Sequence, residues 1–154
     1  MGSSLKQRAV NRALHAMASG RARAAKKLPT STEVAPGVWI GQGVDGAHGV
    51  DFEGANVVGR GTSFQGHETS LGRGTTGGIG CIVDGPLSSG RYSQRGSYVG
   101  VDGVDHPVDV AVPNVNRQFI GGAVKALAQV TPVQIGHGCW IGHGAVVLRG
   151  VSIG

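Results

Sequence analysis

VQIGHGCWIGHGAVVLRGVSIG, residues 133–154, is the stretch whose reading decides the fold. Ile135, Ile141, Val147 and Ile153 recur at six-residue intervals. Gly136, Gly142 and Gly154 stand directly behind three of them, and the small residues Cys139, Ala145 and Val151 follow four places on. A period of six belongs to neither a helix nor a flat strand. It suits short strands separated by tight corners, three to a turn, so that the chain coils into a triangular prism and each turn stacks on the last. The aliphatic first place points into the prism, the small fifth place lies near a bend, and glycine at the second place is read as backbone freedom for the corner.

On these residues the run resembles the hexapeptide-repeat acyltransferases, and is similar to the galactoside and maltose O-acetyltransferases and to the chloramphenicol and streptogramin acetyltransferase branch. The resemblance covers about residues 34–154. It implies an all-β fold, a left-handed parallel β-helix, which departs from the usual right-handed crossover. Periodicity alone does not give that hand.

Upstream, Val34, Ile40, Gly46, Phe52, Val58 and Phe64 share one register. After one inserted residue, Leu71, Gly77, Val83, Ser89, Arg95 and Val101 continue it. Asn56 and Glu68 fit their fifth places poorly, whereas Cys81 and Cys139 fit as small buried thiols with no disulfide framework. Arg95 stands where an aliphatic is expected, and an unpaired buried guanidinium is costly. It is therefore expected to face solvent, meet an acid or mark a shift of register.

Between Val101 and Val133 the period lapses, and residues 102–132 read as a loop projecting from the prism, with a short helix near Ala123–Gln129. The chain ends two residues into a hexad, and a truncated chain is expected from that. The domain reading is thus 1–32, a basic amphipathic helix and linker, and 33–154, the β-helix.

The 154 residues include 29 glycines with 5% aromatic and 15% charged residues, a composition that means disorder or a repeat, and the hexads select the repeat. The formal net charge is +5, but residues 1–32 hold seven of the 14 basic side chains and no acid, leaving seven basic against nine acidic, or −2, for the remainder. The basic balance therefore belongs to the tail and is no nucleic-acid footprint on the body. Leu5, Ala9, Val10, Ala13, Leu14 and Met17 share one side of a helix that Gly20 is expected to stop. It is read as a cap on the first coil, with a weak membrane-surface contact through residues 5–27 or an organelle address as rival uses. No apolar run reaches bilayer-spanning length, and a cytoplasmic location is expected.

His106, in VDHPVD at the start of the loop, matches the general-base histidine of the resembling families. Its neutral ring suits the removal of a proton from an acceptor hydroxyl as that hydroxyl attacks a thioester. Trp140 matches the tryptophan of their VWIG motif. Gly142 and His143 match positions beside the coenzyme A arm, with Ala145 a weaker match. Asp105 is too nearly opposed to His106 along an extended segment to orient it. The resemblance implies acetyl-CoA as donor, a sugar or similar small hydroxyl acceptor, and a homotrimer with sites between prisms.

GQGVDG (41–46) and GRGTTG (72–77) spell GxGxxG without the strand-to-helix setting of a dinucleotide site. His137, Cys139 and His143 do not form a metal set, because successive hexads lie on different sides of the triangle. The rival readings are a metal-dependent trimeric β-helix enzyme of carbonic anhydrase type and a non-catalytic solenoid.

Overall fold

A computed structural model of the chain describes residues 5–27, 30–65, 68–105 and 129–154. Those residues build a left-handed parallel β-helix of about five turns with one N-terminal helix. The first sheet stacks Val38–Gly41, Val57–Val58, Thr76–Gly77, Gln94–Arg95 and Trp140–Ile141. The second stacks Ser63–Phe64, Ile82–Asp84, Gly100–Asp102 and Val146–Leu148. The third stacks Val50–Phe52, Thr69–Leu71, Leu87–Ser89, Val133–Ile135 and Ser152–Ile153.

Register follows the hexads. Ile40, Val58, Gly77, Arg95 and Ile141 lie over one another, as do Phe64, Val83, Val101 and Val147, and Phe52, Leu71, Ser89, Ile135 and Ile153. These stacks, with Cys81, Leu87, Val99 and Val133 from the fifth places, form the core. Its stability comes from burying apolar area one layer at a time against the neighbouring coil.

Two corners carry a further device. Asn56 Nδ2 donates to the Gly72 carbonyl (2.9 Å), Thr75 Oγ1 to Gly90 (2.7 Å) and Ser93 Oγ to Gly136 (2.6 Å). At the next corner Thr62 Oγ1 donates to Gly78 (3.1 Å) and Cys81 Sγ reaches Gly96 (3.3 Å). Each fifth-place side chain thus ties its coil to the carbonyl at the next coil's corner, where the strand ladder has lapsed. Asn56, fully buried, is one of these rungs and fits its place.

Glycine at the second place has a different cause from the one expected. A Cβ on Gly90 would stand 2.7 Å from the Gly136 carbonyl carbon, and one on Gly96 2.7 Å from the His143 nitrogen. The next coil's backbone leaves no room for a side chain. The left-handed residues occur two places later, at Gly138 (φ 67°) and Gly144 (φ 68°), and Tyr92 and Tyr98 adopt the same conformation lower in those columns.

Three expectations change. Val34 begins no coil: Ser31–Ala35 pairs antiparallel with Val38–Gly41, and Val34 is exposed. The helix runs Leu5–Ala25, through Gly20, and buries Ala18, Ala22 and Ala25 rather than the larger apolar side chains. Alanine is selected by close approach, since a Cβ on Gly74 would lie 2.7 Å from the Ala18 Cβ. The helix lies against the first two coils at Val38–Gly41 and Val57–Val58, with Gln7, Asn11 and Leu14 reaching the corner of Arg91, Tyr92 and His137.

Arg95 is the third. It is 5% exposed, in register between Gly77 and Ile141, and hydrogen-bonded to no acid. Gly77 below supplies the space that an aliphatic there would fill. Of the expected loop, residues 106–128, including most of the proposed short helix, lie outside the described residues.

Candidate functional site

The excursion from the prism leaves from the fourth coil on a hydrogen-bonded stem. Val104–Asp105 pairs antiparallel with Gln129–Val130, matching Val104 with Val130 and Asp105 with Gln129. The stem is seated at the corner between the second and third sheets, where Gly103 N donates to the Asp84 carbonyl and Thr131 N to the Gly103 carbonyl (3.1 Å). Gly85 and Gly103 touch there: a Cβ on Gly85, itself at φ 108°, would lie 2.6 Å from the Gly103 Cα. His106 follows Asp105 directly in sequence and lies outside the described residues.

Trp140 occupies the outward side of the first sheet in the fifth coil and is 77% exposed. Its partner in register, Gln94, ties the N-terminal helix to the same sheet. With the carboxamide oriented oxygen toward Arg21, that oxygen accepts from both terminal guanidinium nitrogens, at 2.9 and 2.8 Å.

Gly142 and His143 make the corner that follows. Gly142 is unobstructed, with no atom within 4 Å of a built Cβ. The exposed His143 ring meets Tyr98 edge-on, centroids 5.4 Å apart. Ala145 faces inward against the core, and its carbonyl accepts the Gly100 N–H (2.9 Å). Around this corner and across the second sheet Ile79, Tyr98, Ile82, Val146 and Leu148 are exposed, forming an apolar strip that adjoins His143 on one side. Of the residues matched by resemblance, Trp140, Gly142 and His143 lie at the first sheet and its corner, while the Val104–Asp105 stem, which precedes His106 in sequence, leaves from the far edge of the second sheet.

Sequence reasoning missed a cleft of about 420 Å³ between the helix and the opposite corner, lined by Gln7, Asn11, Leu14, Arg91, Tyr92 and His137. His137 Nδ1 accepts the Arg91 N–H (2.8 Å), and Arg91 Nε pairs with Glu53 (2.7 Å). The Arg91 bond, followed by the Arg73 N–H, holds the Glu53 carboxyl below its ordinary pKa. No signal in the chain reports this cleft, because it exists only once the helix is laid on the coils.

His137 and His143 stand at different corners, and among the described residues no three His, Cys, Asp or Glu side chains are grouped for a metal ion. Among those residues, too, no helix is long and apolar enough to cross a membrane.

No protein-family model matches the chain, and no curated protein matches it. Among solved structures it is similar to a point mutant of AntD, an N-acyltransferase from Bacillus cereus, in complex with dTDP and coenzyme A. The TM-score is 0.66 at 11% identity, over 82% of this chain and 75% of that one. At that identity the likeness is one of fold, and the fold shared is the left-handed parallel β-helix.

Proposed function

We propose that the chain is an acyl-CoA-dependent acyltransferase, transferring an acetyl group to a hydroxyl of a sugar or similar small acceptor, with His106 as general base. The observation that carries this reading is the placement of the stem. The paired strands Val104–Asp105 and Gln129–Val130 leave the fourth coil immediately before His106 in sequence, and exposed Trp140 and His143 belong to the fifth. The fold likeness to a protein solved with coenzyme A supports the choice of donor.

The residues present fit that donor. Exposed Trp140 and His143 offer aromatic surface on which an extended amide-bearing arm can lie. Bound there, the donor supplies an activated thioester. The chain's own work is to hold the acceptor and take its proton. The neutral His106 imidazole accepts the hydroxyl proton as that oxygen forms its bond to the acyl carbon, and returns it to the departing sulfur. Because stem and Trp140 edge flank the second sheet, a site using both takes the stem of one chain and the edge of another. The exposed apolar strip between them fits such packing, in a homotrimer.

The test is thiol release from acetyl-CoA with paired acceptors, a sugar and its amino counterpart. The hydroxyl acceptor should be turned over, and His106→Ala should lower the rate by about 10²–10⁴-fold at unchanged melting temperature. An undiminished rate removes His106 from the chemistry; preference for the amine makes the reaction N-acylation, the reaction class of AntD.

A peripheral contact of residues 5–27 with anionic lipid, from a cytoplasmic location, rests on exposed Leu5, Val10 and Met17 beside the basic side chains of the same helix. Sedimentation with anionic vesicles at low salt, unchanged when residues 1–28 are removed, would exclude it.

A further inference from the structure

The interior of the β-helix contains a positive charge that no acid among the described residues balances. Arg95 is 5% exposed, and its Nε and Nη1 are buried without a hydrogen-bond partner. Its Nη2 lies 3.7 Å from where a Gly77 Cβ would be, so the side chain leans into the coil below its own. That coil is made by Gly77, Val83 and Ser89, and Ser89 Oγ, in a residue 4% exposed, also lacks a partner. Two of the three inward side chains in this layer are thus among the smallest available. Ser89 in this layer and the guanidinium that leans into it from the next both carry unpartnered buried polar atoms.

The surrounding groups do not answer the charge. Cys81 is close enough to act on the guanidinium electrostatically, but its thiol is directed at the carbonyls of Gly78 and Gly96. Asp84 and Asp102 follow the inward-facing Val83 and Val101 and so take the outer side of the second sheet. Glu53 is engaged with Arg91 at the surface. A guanidinium does not shed its proton in a protein, so the group cannot become neutral by itself. Burial pulls its pKa down, the direction of a desolvated cation without compensation.

We propose that this layer holds one small monovalent anion, of the size and charge of chloride, between the Arg95 guanidinium and the Ser89 hydroxyl. A single negative charge cancels a single guanidinium, and Nε, Nη1 and the hydroxyl supply donors that a spherical anion accepts from several directions at once. Water would satisfy those donors and leave the charge unbalanced in a low-dielectric interior. Val83 within the layer, Val58, Phe64 and Leu71 on one side of it and Val101 and Ile135 on the other make its walls, which excludes bulky oxyanions. The ion is enclosed as the coils close on one another, so it binds the folded chain and not the unfolded one. It is independent of acyl transfer.

The test is to refold the protein in sodium chloride or in sodium gluconate at equal ionic strength and measure the folding equilibrium by urea denaturation. Chloride should stabilise the unaltered protein, and once the site is saturated each tenfold rise in chloride should raise the folding constant about tenfold. Arg95→Met should show no difference between the two salts. Crystals grown with bromide should show an anomalous peak beside Arg95 and Ser89. Equal stability in chloride and gluconate, or an interior without that peak, overturns the proposal. Should Arg95→Met fail to fold, the bromide experiment on the unaltered protein decides it alone.

Discussion

Arg95 lies directly above Gly77 in the first sheet, and the glycine's missing side chain is the space that the guanidinium enters, 3.7 Å from a built Cβ. The two departures from the aliphatic pattern therefore compensate each other. Gly77→Val, placing branched carbons against Nη2, should cost about 1–3 kcal/mol. Joined with Arg95→Ile, the same change restores a continuous aliphatic stack from Ile40 to Ile141, and the pair should be more stable than the sum of the single effects. Urea denaturation of the four proteins measures that coupling, and additive effects would mean that the residues do not meet.

A corner rung should be worth more than a hydrogen bond between exposed strand residues of adjacent coils. Asn56→Ala removes an oxygen that accepts the Gly54 N–H (2.9 Å) and a nitrogen that serves Gly72 and Thr75. The buried groups left behind should cost about 2–3 kcal/mol. Ser70→Ala, whose hydroxyl meets Ser88 at 3.4 Å in solvent, should change stability by less than about 0.5 kcal/mol. Equal effects from the two would remove the rungs from the account of what joins the coils.

Second-place glycines offer a comparison within one protein. Gly96→Ala forces a Cβ against the His143 backbone, whereas Gly142→Ala adds one into open space. The first should lower stability by at least about 2 kcal/mol and the second by less than about 0.5. Were corner flexibility the reason for glycine, the two losses would be alike.

Acid should act at the Glu53–Arg91 pair. Glu53 is held below its unfolded pKa, so its contribution is complete above the unfolded value, near 4.3, and disappears as pH falls through the lower folded value. The melting temperatures of the unaltered protein and Glu53→Gln should therefore differ slightly at pH 6 and converge toward pH 3. The pair is exposed, which keeps the difference small. A gap that widens in acid would reverse the assignment.

The first-place stack was legible because an inward side chain recurs every six residues and little else imposes that period. Features that depend on partners from other coils were not. Arg95 looked misplaced because Gly77 and Ser89, which make its room, read separately as weak hexads. Asn56 looked too polar for a corner because two of its three bonds, those to Gly72 and Thr75, close only when the next coil arrives. Val34 kept the period by coincidence while belonging to a hairpin. In the helix, hydrophobicity pointed to Leu5, Val10 and Met17, but the face that packs is the one narrow enough to approach Gly74. The matched site residues were read one by one, and the separation of the Trp140–His143 edge from the Val104–Asp105 stem across the second sheet appears only when the coils are assembled.

That separation leads to a mixing experiment. On the proposed reading His106→Ala removes the base and Trp140→Asp spoils the donor's edge, so each protein alone should be nearly inactive. If a site takes its stem from one chain and its Trp140 edge from the next, co-refolding equal amounts of the two gives some interfaces an intact histidine from one variant facing an intact tryptophan from the other. In randomly assembled trimers about a quarter of the sites should be whole. Activity should reappear at a comparable fraction of the unaltered rate, and mixing the folded proteins without unfolding should restore none on the same timescale. A site contained in a single chain predicts no recovery under either protocol, because no chain in the mixture carries both residues.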